Sequence, residues 1–184
     1  MTHDELLTKK VNNITGNEYS DEWYTDQETV SKCIELLELP DRATILCPFD
    51  SEKSLFVQTL KELRYKVIYG INDYLTADYV YDYAVTNPPF SIKDMVIKRA
   101  YESGKKTLLI LPLDSVGGVK RHSLFNEYGF PHIYIPTRRI KYYDENWDKR
   151  NGSNFHSVFM IFNHKETPKV IWESTIQAIE KELG

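Results

Sequence analysis

Apolar residues recur along the chain with two different spacings, and the two spacings alternate. A spacing of three to four residues predicts amphipathic helices, whereas short apolar runs bounded by turn residues predict buried strands. The alternation predicts an α/β domain whose mostly parallel sheet is covered by helices on both faces. The predicted helices are Asp26–Leu39, Ser51–Leu63, Ile92–Tyr101 and Arg121–Tyr128. The predicted strands are Thr44–Pro48, Tyr65–Tyr69, Tyr83–Thr86, Lys106–Pro112, His132–Ile135 and Ser157–Phe162.

The chain of 184 residues has the length of one ordinary domain. Residues 1–20 lack a sustained apolar period and are interpreted as an N-terminal arm, which leaves residues 21–184 as a single domain. Cys33 and Cys47 form no CxxC pair, and the N-terminus has no signal-peptide pattern. The longest apolar run contains a proline and is too short to span a bilayer. We therefore expect a reduced, cytoplasmic protein that does not enter the membrane.

Charge and histidine usage narrow the function classes only a little. The net charge of −4 argues against a wholly basic nucleic-acid wrapper but is compatible with a local basic patch. The five histidines show neither metal-ligand spacing nor pairing with cysteine, so no metal site is predicted.

The most informative motif is Asn87-Pro88-Pro89-Phe90, which follows a predicted strand directly. Each proline removes its own N–H and favours an extended conformation in the preceding residue, so carbonyl groups are presented without competing donors. An exocyclic amino group on adenine is a poor nucleophile and needs hydrogen-bond acceptors. The Asn87 side-chain oxygen and the Pro88 carbonyl can accept its two hydrogens, while Phe90 offers a face for an extruded base. The alternative is that this motif is a proline-rich turn with no catalytic role.

A second motif interleaves cations and aromatic residues between two predicted strands. Such a segment binds phosphates and stacks on bases in nucleic-acid-binding proteins, although a solvated hairpin connection has a similar composition. The acidic residues Asp144, Glu145 and Asp148 lie in the same segment and offset its charge. The candidate DNA-binding residues are Arg138, Arg139, Lys141, Tyr143, Trp147, Lys149 and Arg150.

With these residues in view, the sequence resembles the amino-methyltransferases that modify adenine N6 in DNA, whose motif is Asp/Asn/Ser-Pro-Pro-aromatic. The resemblance covers roughly residues 23 to 162 and is greatest to small phage-type or mobile-element members. It implies a Rossmann-like fold with an antiparallel last strand, S-adenosylmethionine as cofactor and DNA as substrate. It also implies that Asn87, Pro88, Pro89 and Phe90 form the catalytic base pocket.

The resemblance further implies a set of cofactor-binding residues in three segments. One segment precedes the first helix, one follows the first predicted strand, and one resembles the motif that contacts the cofactor's adenine. The implied residues are Tyr24, Thr25, Cys47, Pro48, Phe49, Asp50, Asp73 and Tyr74.

The sequence departs from the family pattern at the cofactor loop. Family members carry Asp-Pro-Phe-x-Gly-x-Gly, and here Cys47 replaces the acidic residue while both glycines are absent. Cys47 is also explained as a small buried hydrophobe. Asp50 either replaces the lost carboxylate or caps the following helix. Asp73 either contacts the cofactor or is a turn residue.

Two further features of the usual architecture are missing from the pattern. Only about a dozen residues separate Asp73 from the strand at Tyr83, so one strand-helix unit is predicted to be absent. No separate target-recognition domain is present in the sequence. Target specificity would then come from the Gly117-Gly118 loop, the cationic segment, a recognition partner or a homo-oligomer.

The leading hypothesis is therefore transfer of a methyl group from S-adenosylmethionine to a flipped adenine in DNA. The rival hypothesis is a non-catalytic nucleic-acid-binding or interference protein that retained the fold and the base pocket while the cofactor loop degenerated.

Overall fold

The structure, a computed structural model, describes residues 24–71, 73–143, 146, 148 and 156–173. The predicted arm over residues 1–20 lies outside them. The helices in the described part are α1 (Gln27–Leu37), α2 (Leu55–Glu62), α3 (Lys93–Ser103) and α4 (Val119–Tyr128), with 3-10 turns at Phe90–Ile92 and Leu113–Val116. The strands are β1 (Tyr24–Thr25), β2 (Thr44–Cys47), β3 (Lys66–Tyr69), β4 (Tyr83–Thr86), β5 (Lys106–Pro112), β6 (His132–Ile135), β7 (Tyr142–Tyr143), β8 (Ser157–Phe162) and β9 (Val170–Trp172).

Seven of the described strands form one sheet in the order β3-β2-β4-β5-β8-β6-β9. All neighbours are parallel except β8, which runs antiparallel to both β5 and β6. The predicted mostly parallel sheet with one antiparallel strand is therefore confirmed. The pattern did not predict β9, whose three residues are all exposed and so lack the burial contrast that marks a strand.

Helices cover both faces of this sheet, as the alternation predicted. Along β5, Leu108 and Ile110 pack into one core cluster, whereas Leu109 and Leu111 pack into the other. Successive side chains of a strand point to opposite faces, so each face has its own core. Among the described residues, no helix combines the length and the apolar character that a membrane crossing requires.

The first helix begins where the sequence predicts. The Asp26 carboxylate accepts the backbone N–H of Thr29 at 3.1 Å and caps α1. Such a cap contributes about 1 kcal/mol. The helix buries Val30, Cys33 and Leu37 completely, against the core that β2 and β5 share.

The second helix begins later than predicted, at Leu55 instead of Ser51. Its N-cap is Ser54, whose hydroxyl accepts the backbone N–H of Phe56. Asp50 is therefore not the helix cap. Residues 48–53 instead form an irregular loop at the carboxyl end of β2.

The segment between β3 and β4 is short, and its described residues contain turns but neither helix nor strand. This arrangement agrees with the predicted loss of one strand-helix unit. As a consequence, β3 is an edge strand of the seven-stranded sheet. Tyr74 and Tyr81 of the segment are buried in the core that also contains α3.

A separate two-stranded ribbon joins distant parts of the sequence. Strand β1 pairs antiparallel with β7, so that Tyr24 faces Tyr143 and Thr25 faces Tyr142. The hydroxyl of Tyr142 lies 2.9 Å from Ser157 Oγ of β8 and ties the ribbon to the main sheet. Neither short strand was predicted. Their pairing brings one of the implied cofactor segments beside the cationic segment.

Candidate functional site

The strand order reverses direction between β2 and β4. From β2 the chain proceeds to β3 on one side, and from β4 it proceeds to β5 on the other. In open α/β sheets, ligands bind in the crevice at the carboxyl ends of the two strands that flank such a reversal. The loop after β2 begins at Pro48, and the motif after β4 begins at Asn87. The topology therefore brings the two predicted functional segments to the same crevice.

The loop after β2 is closed against the loop after β3 by backbone hydrogen bonds. The N–H of Gly70 donates to the Asp50 carbonyl at 2.9 Å, and the N–H of Ile71 donates to the Pro48 carbonyl at 3.2 Å. Gly70 has φ +69°, a conformation that favours glycine. These bonds fix the course of the loop that lacks the glycines of the family pattern.

Asp50 links this loop to strand β4. Its Oδ1 accepts the Ser54 hydroxyl at 2.6 Å, and its Oδ2 accepts the Thr86 hydroxyl at 2.8 Å. Thr86 is the last residue of β4 and immediately precedes Asn87. Asp50 thus places a carboxylate in the crevice beside the start of the Asn-Pro-Pro-Phe motif.

A hydrogen bond and a ring contact bring further predicted cofactor residues to this loop. The Tyr24 hydroxyl of β1 lies 3.2 Å from Ser51 Oγ. The rings of Phe49 and Tyr74 meet edge to face with centroids 5.5 Å apart. Burial raises the pKa of Tyr74 well above its ordinary value, so its hydroxyl is protonated at neutral pH. The loop therefore contacts the Tyr24 hydroxyl at Ser51 and the Tyr74 ring at Phe49.

The Asn-Pro-Pro-Phe motif turns the chain from β4 into α3. Asn87 is half-buried, Pro88 is buried, and Pro89 has φ −57° and ψ 124°. Phe90 is half-buried and begins the 3-10 turn that continues into α3. The motif lies at the crevice end of β4, as predicted from the sequence. Its catalytic role remains a prediction.

Asp73 has the contacts of a turn residue. Its carbonyl accepts the backbone N–H groups of Thr76 and Ala77, each at 2.9 Å, and its carboxylate accepts the Tyr79 hydroxyl. The Asp73 side chain is exposed. The contact of Asp73 with the cofactor, which the family resemblance implies, stays a prediction.

Cys47 is fully buried at the end of β2. Burial raises the pKa of its thiol well above the ordinary value, and the charge of Asp50 raises it further. The side chain is packed in the same apolar cluster as Phe56 and Val57. These surroundings agree with the interpretation of Cys47 as a small buried hydrophobic residue, which is the alternative to a cofactor contact.

Both cysteines are expected to react slowly with thiol reagents in the folded protein. Cys33 is also fully buried, and burial likewise raises its pKa. Because thiolate is the reactive species, an aromatic disulfide reagent at neutral pH should react more than about tenfold slower with the folded chain than with the urea-unfolded chain. Rapid reaction of either thiol in the folded protein would contradict this assignment.

The predicted nucleic-acid segment lies at the same edge of the sheet as the crevice. Arg138 and Arg139 are exposed and follow β6, which runs parallel to β2 and β4. Lys141 is exposed, and its backbone N–H donates to the Asp26 carboxylate at 3.3 Å. Tyr143 is half-buried in the ribbon with β1. The remaining predicted residues, Trp147, Lys149 and Arg150, lie outside the described residues.

The described residues contain no group of three or more His, Cys, Asp or Glu side chains that could hold a metal ion.

The sequence matches no protein-family model and no curated protein sequence, but the fold matches solved structures. The 23S rRNA methyltransferase ErmE superposes with a TM-score of 0.51 at 14% identity, over 86% of this chain and 75% of that one. The chain has a Rossmann-like methyltransferase fold. Two further methyltransferase structures match less well. A dimethyladenosine transferase from Plasmodium falciparum gives a TM-score of 0.48 at 11% identity, over 76% of this chain and 62% of that one. A TehB-like SAM-dependent methyltransferase from Corynebacterium glutamicum gives 0.44 at 10%, over 89% and 98%.

The sequence did not indicate the hydroxyl groups that hold this methyltransferase-fold crevice together. Ser51, Ser54 and Thr86 are each bonded to a predicted residue, Ser51 to Tyr24 and the other two to Asp50. Of these three residues, Thr86 is the one that the sequence could have indicated, because it is a polar residue that ends an otherwise apolar strand directly before the motif.

Proposed function

We propose that this chain is an S-adenosylmethionine-dependent methyltransferase that acts on adenine N6 in DNA. The observation that carries the proposal is the hydrogen bond between Thr86 and Asp50 at the point where the strand order reverses. It joins the loop predicted to hold the cofactor to the residue that precedes the predicted base pocket. A methyl donor and an amine acceptor must meet within about 3 to 3.5 Å to react, and this crevice has both candidate sites side by side.

The residues of the crevice suit the chemistry of S-adenosylmethionine. The cofactor would present an ammonium group and ribose hydroxyls, for which the Asp50 carboxylate is a matching acceptor. The edge-to-face pair of Phe49 and Tyr74 offers apolar surface for an adenine ring. Tyr24 and Ser51 supply hydroxyl groups at the same loop. When bound, the cofactor supplies an electrophilic methyl group on a sulfonium centre.

The roles of the protein's own residues follow from the chemistry of the target amine, which is a poor nucleophile and needs hydrogen-bond acceptors. The Asn87 side-chain oxygen and the Pro88 carbonyl accept the two amino hydrogens of adenine and draw the nitrogen toward tetrahedral geometry. Phe90 stacks on the extruded base, and the two prolines hold the acceptors in place. Because the amine gains nucleophilicity from acceptors, no strongly basic side chain is needed in the crevice.

DNA is proposed as the substrate on two grounds. The first is the resemblance of Asn87–Phe90 to the motif of DNA adenine methyltransferases, and the second is the set of exposed cations Arg138, Arg139 and Lys141 that follow β6. RNA is an outcome of the test and not part of the proposal. Target choice is proposed to depend on the loop at Gly117-Gly118, on the cationic segment, or on a partner or second copy of the chain.

Two measurements test the proposal together. Calorimetric titration should detect binding of S-adenosylmethionine, and labelled-methyl transfer should appear in N6-methyladenine of duplex or single-stranded DNA. Asp50→Ala should weaken cofactor binding by roughly ten- to hundredfold, since a hydrogen bond to a charged group contributes about 1.5–3 kcal/mol. Asp41→Ala is the matched control, because Asp41 is exposed at the opposite, amino end of β2.

Each alternative function gives a different result in these measurements. Transfer to RNA adenines alone would replace the DNA assignment with RNA. DNA binding that is indifferent to S-adenosylmethionine, without transfer to any nucleic acid, would assign the chain to the non-catalytic rival class. Wild-type affinity for the cofactor in Asp50→Ala would remove Asp50 from the cofactor site.

A further inference from the structure

The carboxylate of Asp50 is held between two hydroxyl groups that belong to different elements. Ser54 begins α2, and Thr86 ends β4. The two donors are almost completely buried, with 5% of Ser54 and 1% of Thr86 exposed. The bond from Thr86 spans 36 positions of sequence at 2.8 Å. A half-buried carboxylate thus connects the loop after β2 to the strand that carries the Asn-Pro-Pro-Phe motif.

Other hydrogen bonds already secure the loop after β2 and the start of α2. The helix α2 is capped by Ser54 itself, which accepts the backbone N–H of Phe56 at 3.2 Å. The loop is already anchored by the two backbone bonds that Gly70 and Ile71 donate to it. The bond from Thr86 to Asp50 is therefore an addition to a loop and a helix that are otherwise secured.

The position of Thr86 gives the bond a consequence for the motif. Thr86 is joined by one peptide bond to Asn87, so its side chain and the base-pocket acceptors move together. A ligand group that binds Asp50 fixes the carboxylate from the crevice side. It thereby limits the freedom of the Thr86 hydroxyl and of the chain that leads into Asn87. Binding of the first ligand has then already restricted the motion of the pocket. The second ligand therefore loses less conformational entropy when it binds.

We propose that Thr86 is a positioning residue that couples cofactor binding to target-base binding through Asp50. The inference rests on the proposed function and adds to it a physical link between its two sites. Coupling of this kind is reciprocal, so the base strengthens cofactor binding by the same factor as the cofactor strengthens base binding. Thr86 lies immediately before the Asn-Pro-Pro-Phe motif, and Asp50 occupies the variable position that follows Pro48-Phe49 in the cofactor loop.

The coupling is measurable with two non-reacting probes. S-adenosylhomocysteine occupies the cofactor site without a transferable methyl group, and a short oligodeoxyadenylate presents adenine at every position. Calorimetry gives the dissociation constant of S-adenosylhomocysteine without the oligonucleotide and at its saturation. We expect a ratio of about fivefold or more for the wild type. The ratio should fall to near one in Thr86→Val, which keeps the branched shape and removes the hydroxyl, and should return in Thr86→Ser.

A matched control separates this effect from the loss of any buried threonine hydroxyl. Thr107 lies near the amino end of β5, is fully buried, and donates its hydroxyl to the Lys105 carbonyl at 2.9 Å. Thr107→Val should retain the wild-type ratio. Thr86→Ala replaces Thr86→Val if circular dichroism shows that the valine variant does not fold, since the smaller side chain leaves room for water beside Asp50.

The outcomes distinguish this inference from the proposed function. Binding of both probes with an undiminished ratio in the hydroxyl-free variant would overturn the coupling and leave the proposed function intact. Loss of the ratio in Thr86→Ser as well would assign the effect to shape and overturn the role of the hydroxyl. Failure of the wild type to bind S-adenosylhomocysteine would overturn both.

Discussion

Replacement of Asn87 by alanine is expected to abolish methyl transfer while cofactor affinity stays within a few-fold of wild type. The reason is that Asn87 would accept a hydrogen from the target amine and would not touch the cofactor. Loss of one acceptor or donor aimed at developing charge costs about 10² to 10³ in rate. Single-turnover transfer of a labelled methyl group measures the rate, and calorimetry with S-adenosylmethionine measures the affinity.

The control for this experiment is Asn126→Ala. Asn126 is an exposed asparagine of α4 whose side chain contacts His122, so its loss removes an amide without altering the crevice. Full activity in Asn87→Ala would show that the motif is only a turn. A parallel loss of cofactor affinity, with the fold intact, would place Asn87 at the cofactor instead of the base.

Phe90→Ala provides a second, independent reading of the same pocket. Base stacking contributes on the order of 1–3 kcal/mol. The substitution should therefore weaken oligonucleotide binding more than it lowers the rate of methyl transfer within the bound complex. In kinetic terms, we expect a rise in KM for DNA with a smaller change in kcat. An unchanged KM would remove Phe90 from contact with the base.

The core of the fold was predictable because its strands are buried on both faces. Strands β4, β5, β6 and β8 have the predicted bounds, since short apolar runs flanked by polar residues mark them clearly. The elements that were missed are the short ones, β1, β7 and β9. A two- or three-residue strand has no period of its own, and its existence depends on a partner that lies far away in the sequence. Tyr24 gives no local sign that it pairs with Tyr143.

The candidate site was predictable to the extent that its residues follow strands. Asn87 directly follows β4, and Asp50 lies in the loop that follows β2. Because the carboxyl ends of parallel strands meet at one edge of the sheet, the topology brings both residues to that edge. The sequence alone allows two roles for Asp50, a helix cap and a carboxylate in the site. The structure decides against the cap, because the helix begins at Leu55 and Ser54 caps it. No local pattern predicts the bond from Thr86, since its partner is 36 residues away.

Neutralising the described part of the cationic segment is expected to flatten the salt dependence of DNA binding. The triple replacement of Arg138, Arg139 and Lys141 by glutamine would remove up to three phosphate contacts. On a duplex, each contact contributes about 0.9 to the slope of log affinity against log salt concentration. A fourfold rise in salt should therefore weaken the wild type by about 40-fold more than it weakens the variant. Fluorescence anisotropy of a labelled duplex at several salt concentrations measures both slopes, and cofactor affinity should not change.

The chain offers a control with the same change of charge at the opposite edge of the sheet. Arg42, Arg64 and Lys105 are exposed and directly precede the regions where β2, β3 and β5 begin. Their replacement by glutamine lowers the net charge equally but leaves the crevice edge intact, so the salt slope should stay at the wild-type value. Equal slopes in all three proteins, with the fold preserved by circular dichroism, would identify the cationic segment as a solvated connection. A reduced slope in the control alone would move the DNA-binding face to the amino edge, away from Asn87, and would contradict the proposed arrangement of substrate and site.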